Sequence, residues 1–316
     1  MLVKFLFILF VLLLICKLLL VLNKISNNEY FTINNSQNQQ LKKKCIFRIL
    51  GNNLNSVHSD TQTYDNLKFT LENETEFDNC DKIWILNRIV NKQLQQRYQN
   101  LLVKHSKKYL IIPFKQNEYD KIKQKNKVNL NSLNNKNEIF NKLYYHTLYL
   151  ININGARNYC LNYGRSRYLY SFVFDGSCFF TDKQFNDLQK DINIQNEYII
   201  IPLLRLDKNN INIDLSNIEK KEPQIGFKNT STLTFDERLP YGLSNKTELL
   251  RRLNVKGEWD NWTDNKQILN IPDRPKVLAK TQIVSSVCRL SNGTKQKKKT
   301  HNDRSNGILQ LVKDVN

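Results

Sequence analysis

The residues of this 316-residue chain best placed to do chemistry lie between Asn154 and Phe180, NGARNYCLNYGRSRYLYSFVFDGSCFF. A helix opens on Gly155-Ala156-Arg157-Asn158 and runs into an apolar strand that ends at Asp175-Gly176. Ligands of open α/β sheets sit at the carboxyl ends of strands. An aspartate there can hold a divalent cation against a diphosphate, and Gly176 lets backbone approach closely. Arg157 can offer its planar fork to a phosphate or a base edge. The plainer alternative makes Asp175-Gly176 a strand-end turn and Arg157 and Asn158 ordinary residues of a helix start. A second acidic cluster runs from Glu222 to Asp264, through TFDERLPYG and then KGEWDNWTD. Trp259 and Trp262 flank Asp260, an arrangement that suits a sugar ring or plain core packing.

These groups need a scaffold, and the apolar pattern supplies one. Cys45–Leu50, Lys82–Asn87 and Tyr109–Phe114 read as short buried strands, with helical spacing over Thr61–Glu72 and Lys92–His105. That alternation predicts a doubly wound parallel sheet. Lys121–Lys142 reads as a helix fraying into a long loop. Gly155–Arg167 and Thr181–Asp191 follow as helices, and Tyr168–Phe174 and Tyr198–Leu206 as strands. After about Lys276 the chain reads as peripheral.

Ahead of this block, residues 5–22 form an eighteen-residue run whose one polar member is Lys17. As a helix it would span about 27 Å, near a bilayer's hydrocarbon thickness. No small-x-small cleavage site follows, so an uncleaved anchor is favoured over a signal peptide. Residues 1–4 are then a tail, 23–44 a stem, 45–275 the catalytic-size domain (45–206 and 207–275) and 276–316 a peripheral segment. The six N-x-Ser/Thr sequons barely exceed chance, because Asn fills 44 positions. The same compositional drift explains much of the net charge of +19. The lysine runs are scattered and lack interleaved Arg and aromatic residues, which argues against a nucleic-acid surface. Five cysteines lie beyond the anchor without C-x-x-C or zinc spacing.

Ala156-Arg157-Asn158 ahead of an apolar strand ending in Asp175, behind strand–helix alternations from Cys45, resembles the core of GT-A-fold glycosyltransferases of the family 2 type. The resemblance covers about Cys45 to Leu206. It implies a Rossmann-type open mixed sheet flanked by helices, preceded here by one transmembrane helix. It implies sugar transfer from a nucleotide-sugar donor to a hydroxyl of a glycan, protein or lipid acceptor. Asp175 would ligate Mn²⁺ or Mg²⁺, with Arg48, Arg157, Asn158 and Gly176 about the nucleotide. Asp236 or Glu237, with Glu222 as alternate, would take the acceptor's proton. Anchor, stem and domain in that order suggest a Golgi or ER protein with a lumenal domain. One departure stands out: the family's second aspartate is missing from Asp175-Gly176-Ser177-Cys178. Ser177, a water or Asp182 would have to complete a metal site, or else the protein is metal-independent or an inactive adaptor.

Overall fold

The computed structural model describes residues 43–54, 61–211, 220–243, 246–257, 260, 272–291 and 301–315. The anchor at 5–22, nearly all of the stem, Trp259, Trp262 and the lysine run 297–299 lie outside these residues. Among the described residues no helix is long and apolar enough to cross a membrane.

Strand β1 (Lys44–Leu50) is followed by α1 (Gln62–Asn73), β2 (Cys80–Asn87), α2 (Lys92–Lys104) and β3 (Lys108–Ile112). Three helices come next: α3 (Gln116–Lys125), α4 (Lys136–Lys142) and α5 (Tyr144–Leu150). Then α6 (Ile153–Arg165) leads into β4 (Tyr170–Asp175), β5 (Cys178–Phe179), α7 (Asp182–Asp191), β6 (Tyr198–Arg205) and β7 (Lys220–Lys228). The last described elements are α8 (Thr247–Arg252), β8 (Thr281–Ile283), β9 (Val287–Arg289) and α9 (His301–Val315).

The strands form one sheet in the order β3-β2-β1-β4-β7-β6-β9-β5, with β8 beside β6. β3, β2, β1 and β4 are mutually parallel, and β7 is antiparallel to both β4 and β6. The sheet is therefore mixed rather than purely parallel. Strand order reverses between β1 and β4, which opens a crevice at their carboxyl ends. The far edge strand β5 begins three residues after β4 ends, so the β4-β7-β6-β9-β5 half curls back toward that end.

Side chains alternate across β1 and thereby sort its residues. Cys45, Phe47 and Ile49 pack with Ala156, Cys160 and Leu161 of α6. Ile46 packs on the opposite face with Phe172, Phe180 and Leu188, and Leu50 with Leu67 and Leu102. Asparagine, abundant by composition, does local work: Asn91, Asn135 and Asn152 cap α2, α4 and α6 through backbone N–H groups.

Two regional expectations change. Lys121–Lys142 is not a fraying helix. It holds the end of α3, a 3₁₀ turn and α4, tied down by buried Tyr119, Ile139 and Phe140. The segment after Lys276 is not peripheral, since β8 and β9 join the sheet and Ile308, Leu311 and Val312 of α9 are buried. Runs as short as TQI and VCR carry no period from which a strand can be read.

Candidate functional site

Asp175 ends β4 at the crevice. Its Oδ1 accepts a 2.9 Å hydrogen bond from Arg157 Nη2. Its Oδ2 lies 3.4 Å from Gln224 Nε2 and 3.7 Å from Lys246 Nζ. Burial opposes ionisation, but the charges of Lys246, Arg157 and Arg289 outweigh it and hold the carboxyl far below the usual range. Lys246 has only 2% of its side chain exposed. The Cys178 thiol nearby is pushed up to about 12, by burial first and then by the Asp175 charge. It is therefore neutral at physiological pH and no nucleophile.

The α6 residues bind a loop rather than open solvent. Arg157 is buried, with Nη1 on Asn154 Oδ1 at 2.9 Å and its guanidinium 5.1 Å from the Phe235 ring centroid. Its fork is thus occupied in orienting Asp175. Asn158 donates to Phe235 O at 3.0 Å and accepts from Phe235 N at 2.9 Å, so its carboxamide mimics a strand partner. Asn154 donates to Asp236 O at 2.7 Å. Helical spacing of four puts Asn154 and Asn158 on one face, which explains why both reach residues 235–237.

The three carboxylates proposed from sequence part company here. Asp236 is buried and receives Arg238 N and Nε at 3.0 Å and Nη2 at 2.7 Å, with Arg274 Nε at 3.6 Å. Burial works against its charge, but the Arg238 hydrogen bonds and the Arg274 charge keep its carboxyl below the ordinary range. Both oxygens are engaged, so Asp236 fixes its loop. Glu237 is exposed, and Asn158 Nδ2 donates to its Oε1 at 2.8 Å. Glu222 on β7 accepts from Thr247 Oγ1 at 3.0 Å, next to Lys246 in sequence.

Arg48 and Gly176 serve the scaffold. Arg48 is fully buried, with Nη2 2.5 Å from Glu74 Oε2 and Nε 2.9 Å from Cys178 O. It lies on the face of β1 opposite Ile49, and Ile49 is the residue that pairs with Asp175. Its guanidinium is taken up by Glu74 and by the Cys178 carbonyl. A Cβ on Gly176 would stand 2.7 Å from Ile49 O, so its glycine answers to the protein's own backbone.

The donor set does not fit Mn²⁺ or Mg²⁺. Asp175 offers one carboxylate, and both its oxygens face protein donors. A divalent ion beside it would meet the charges of Lys246, Arg157 and Arg289. Asp182 is engaged by the Thr75 hydroxyl. Among the described residues no three His, Cys, Asp or Glu side chains gather to hold a metal.

Sequence reasoning missed Gln224, Lys246, Thr247 and Arg289. Polar residues at every second position of KKEPQIGFK could have flagged Glu222 and Gln224. No local pattern marks Lys246 or Arg289. His146 is a core residue, with Nδ1 3.0 Å from Tyr119 Oη and Nε2 3.2 Å from Asn126 O. The described cysteines are all buried and unbridged.

By strand order and direction this is a GT-A-like, Rossmann-type α/β fold. No protein-family model matches the chain, and no curated protein does. Solved structures match over most of its length. A 4-diphosphocytidyl-2C-methyl-D-erythritol synthase from Anaerococcus prevotii is 9% identical, covering 85% of this chain and 96% of its own, at a TM-score of 0.33. S. aureus TarS 1-349 in complex with UDP is 12% identical over 72% of this chain and 69% of its own, at 0.34. A nucleotide-diphospho-sugar transferase from Desulfovibrio desulfuricans, assigned that activity provisionally, is 9% identical over 87% and 97%, at 0.33. At these identities and TM-scores the likeness concerns the chain path alone.

Proposed function

We propose that this chain is a glycosyltransferase that moves a sugar from a nucleotide-sugar donor to a hydroxyl of a glycan, protein or lipid acceptor. The observation that supports this most is the charge cluster of Asp175, Arg157 and Lys246 at the strand-order reversal, with Glu237 held on the adjoining loop. In this reading the donor's diphosphate lies against that cluster. Glu237 Oε2 takes the proton of the acceptor hydroxyl as its oxygen bonds to the anomeric carbon. The bond from that carbon to the phosphate oxygen breaks, and the nucleoside diphosphate leaves with the electron pair. Asn158 keeps Glu237 aimed, and Asp236 keeps the loop in place.

The test is release of nucleoside diphosphate when the full chain meets UDP-, GDP- and CDP-sugars with mixed glycan acceptors. Glu237→Gln should lower turnover by about 10²–10⁴-fold, the span of general-base catalysis, and leave donor affinity unchanged. Full turnover by that variant would remove Glu237 from the role. If no nucleoside diphosphate binds at all, the reading fails.

The eighteen-residue apolar run at 5–22 supports attachment to a Golgi or ER membrane with a lumenal domain. Extraction of the full chain by alkaline carbonate would refute the anchor. The missing partner of Asp175 in the Asp175-Gly176-Ser177 run supports a second reading, an anchored adaptor without activity. Sustained donor turnover would exclude it.

A further inference from the structure

Asp175 is only one edge of a larger basic cluster. In the parallel register of β6 and β9, Arg205 stands directly opposite Arg289, and Arg289 stands opposite Cys178 of β5. β6 runs in the same direction as β4, because both are antiparallel to β7. Arg205 thus lies at the carboxyl end of its strand, as Asp175 does. Like charges directly across a sheet are destabilising. Neither arginine forms an ion pair closer than 4 Å within the described residues.

A third arginine adds to the conflict. Burial lowers the proton affinity of Arg205, and the charges of Arg289 and Arg304 lower it further, with Asp207 as the opposing charge. Arg304 on α9 has one long contact, Nη1 to Gly242 O at 3.4 Å, and its Nε is buried without a hydrogen-bond partner. Arg289 joins this group to the crevice, because its charge acts on Asp175 alongside Lys246 and Arg157. Among the described residues Lys246, Arg157 and Arg289 act on Asp175, while Arg289 and Arg304 act on Arg205, whose opposing charge is Asp207. Among the described residues these cations outnumber the carboxylates that act on them, beside the place where the glycosyltransferase reading puts the donor's leaving group.

We propose that the donor's nucleoside diphosphate is held and neutralised by fixed side-chain cations, Lys246, Arg289 and Arg205, in place of a divalent metal ion. The proposal rests on the glycosyltransferase reading and adds to it how the leaving group is stabilised. Lys246 is buried and held 3.7 Å from Asp175, outside hydrogen-bond distance, so its ammonium is positioned without being consumed. Arg205 and Arg289 present planar forks, which suit bridging phosphate oxygens. As the bond between sugar carbon and phosphate oxygen breaks, the electron pair arrives on an oxygen already faced by these charges. No metal has to be recruited, and none of the cations has to move far.

The experiment is calorimetric titration of the full chain with UDP, GDP and CDP, each in EDTA and in Mn²⁺. The tightest-binding nucleotide should bind with affinities within about threefold in the two buffers. Arg289→Gln and Lys246→Met should each weaken binding in EDTA about tenfold or more, as expected for loss of a charge-assisted contact. Arg289→Lys should keep most of the affinity. If either neutral variant fails to fold by thermal melting, the other decides. Binding that appears only with Mn²⁺, or tightens more than tenfold with it, overturns the proposal and leaves the glycosyltransferase reading standing. Metal-free binding that ignores both neutral substitutions also overturns it. Absence of binding by all three nucleotides in both buffers removes the reading itself.

Discussion

Two charge clusters share the turn from Asp175 to Phe180, and they are built on different terms. Beneath the turn, Glu74 is bound by Arg48 at 2.5 Å, by Lys82 at 3.1 Å and by Phe180 N at 2.8 Å. None of those three side chains is more than 3% exposed. Arg48 also donates to Cys178 O, so the lower cluster clamps the turn through its backbone. Above the turn, Asp175 has more cations than it can pair with, and Lys246 stays at 3.7 Å. In the lower cluster both cations lie within 3.1 Å of the one carboxylate, while in the upper one Lys246 stays 3.7 Å from Asp175 and Arg289 acts on it without an ion pair among the described residues. Buried charges are tolerated when paired and costly when not. In the proposed reading the cations gathered at the end of β4 are those that would face the donor's diphosphate.

Glu74→Gln should strand Arg48 and Lys82 in the interior and cost about 3–5 kcal/mol, read from denaturant unfolding. A loss under 1 kcal/mol would mean that the lower cluster is not a structural clamp.

Acid provides a middle-sized probe. Asp175 and Asp236 both bind protons less readily when folded than the ordinary Asp value of about 3.9. The unfolded chain therefore takes up protons first as pH falls. The stability these groups confer is complete above about pH 5 and drains away as pH drops through 4 toward their folded values. Melting temperature should fall between pH 5 and pH 3, and Asp236→Asn should flatten that slope. An unchanged slope in the variant would show that Arg238 and Arg274 gain little from Asp236.

The smallest effect has the opposite sign. Arg289→Gln should raise stability by about 0.2–1 kcal/mol, because it relieves a like-charge pair across β6 and β9. Together with the weakened nucleotide binding expected of the same variant, this would mark the upper cluster as one held at a cost to stability for function. A destabilised Arg289→Gln would place Arg289 with the clamp instead.

How much of this was legible beforehand depended on sequence distance. The β1, β2 and β4 runs are long and apolar, and they fold where periodicity puts them. Asp175 and Glu237 can be singled out from sequence because each lies within a local pattern, a strand end and an acidic loop. The family resemblance implies a place for Arg48 about the nucleotide. Glu74, which takes up its guanidinium from 26 residues away, could not be foreseen.

The chain by itself determined the alternation of strands and helices, the mixed composition of the sheet's apolar faces and the aspartate at the end of β4. Those follow from periods of two and 3.6 residues and from turn chemistry, all local properties. Only tertiary structure decided what surrounds that aspartate. Lys246 comes to it from 71 positions away and Arg289 from 114, along a sheet that curls until β5 and β9 stand beside the end of β4. Electrostatics acts through space and takes no account of sequence separation. The surroundings of Asp175 were therefore fixed by the fold, and Lys246 and Arg289 carry no mark in the sequence around them.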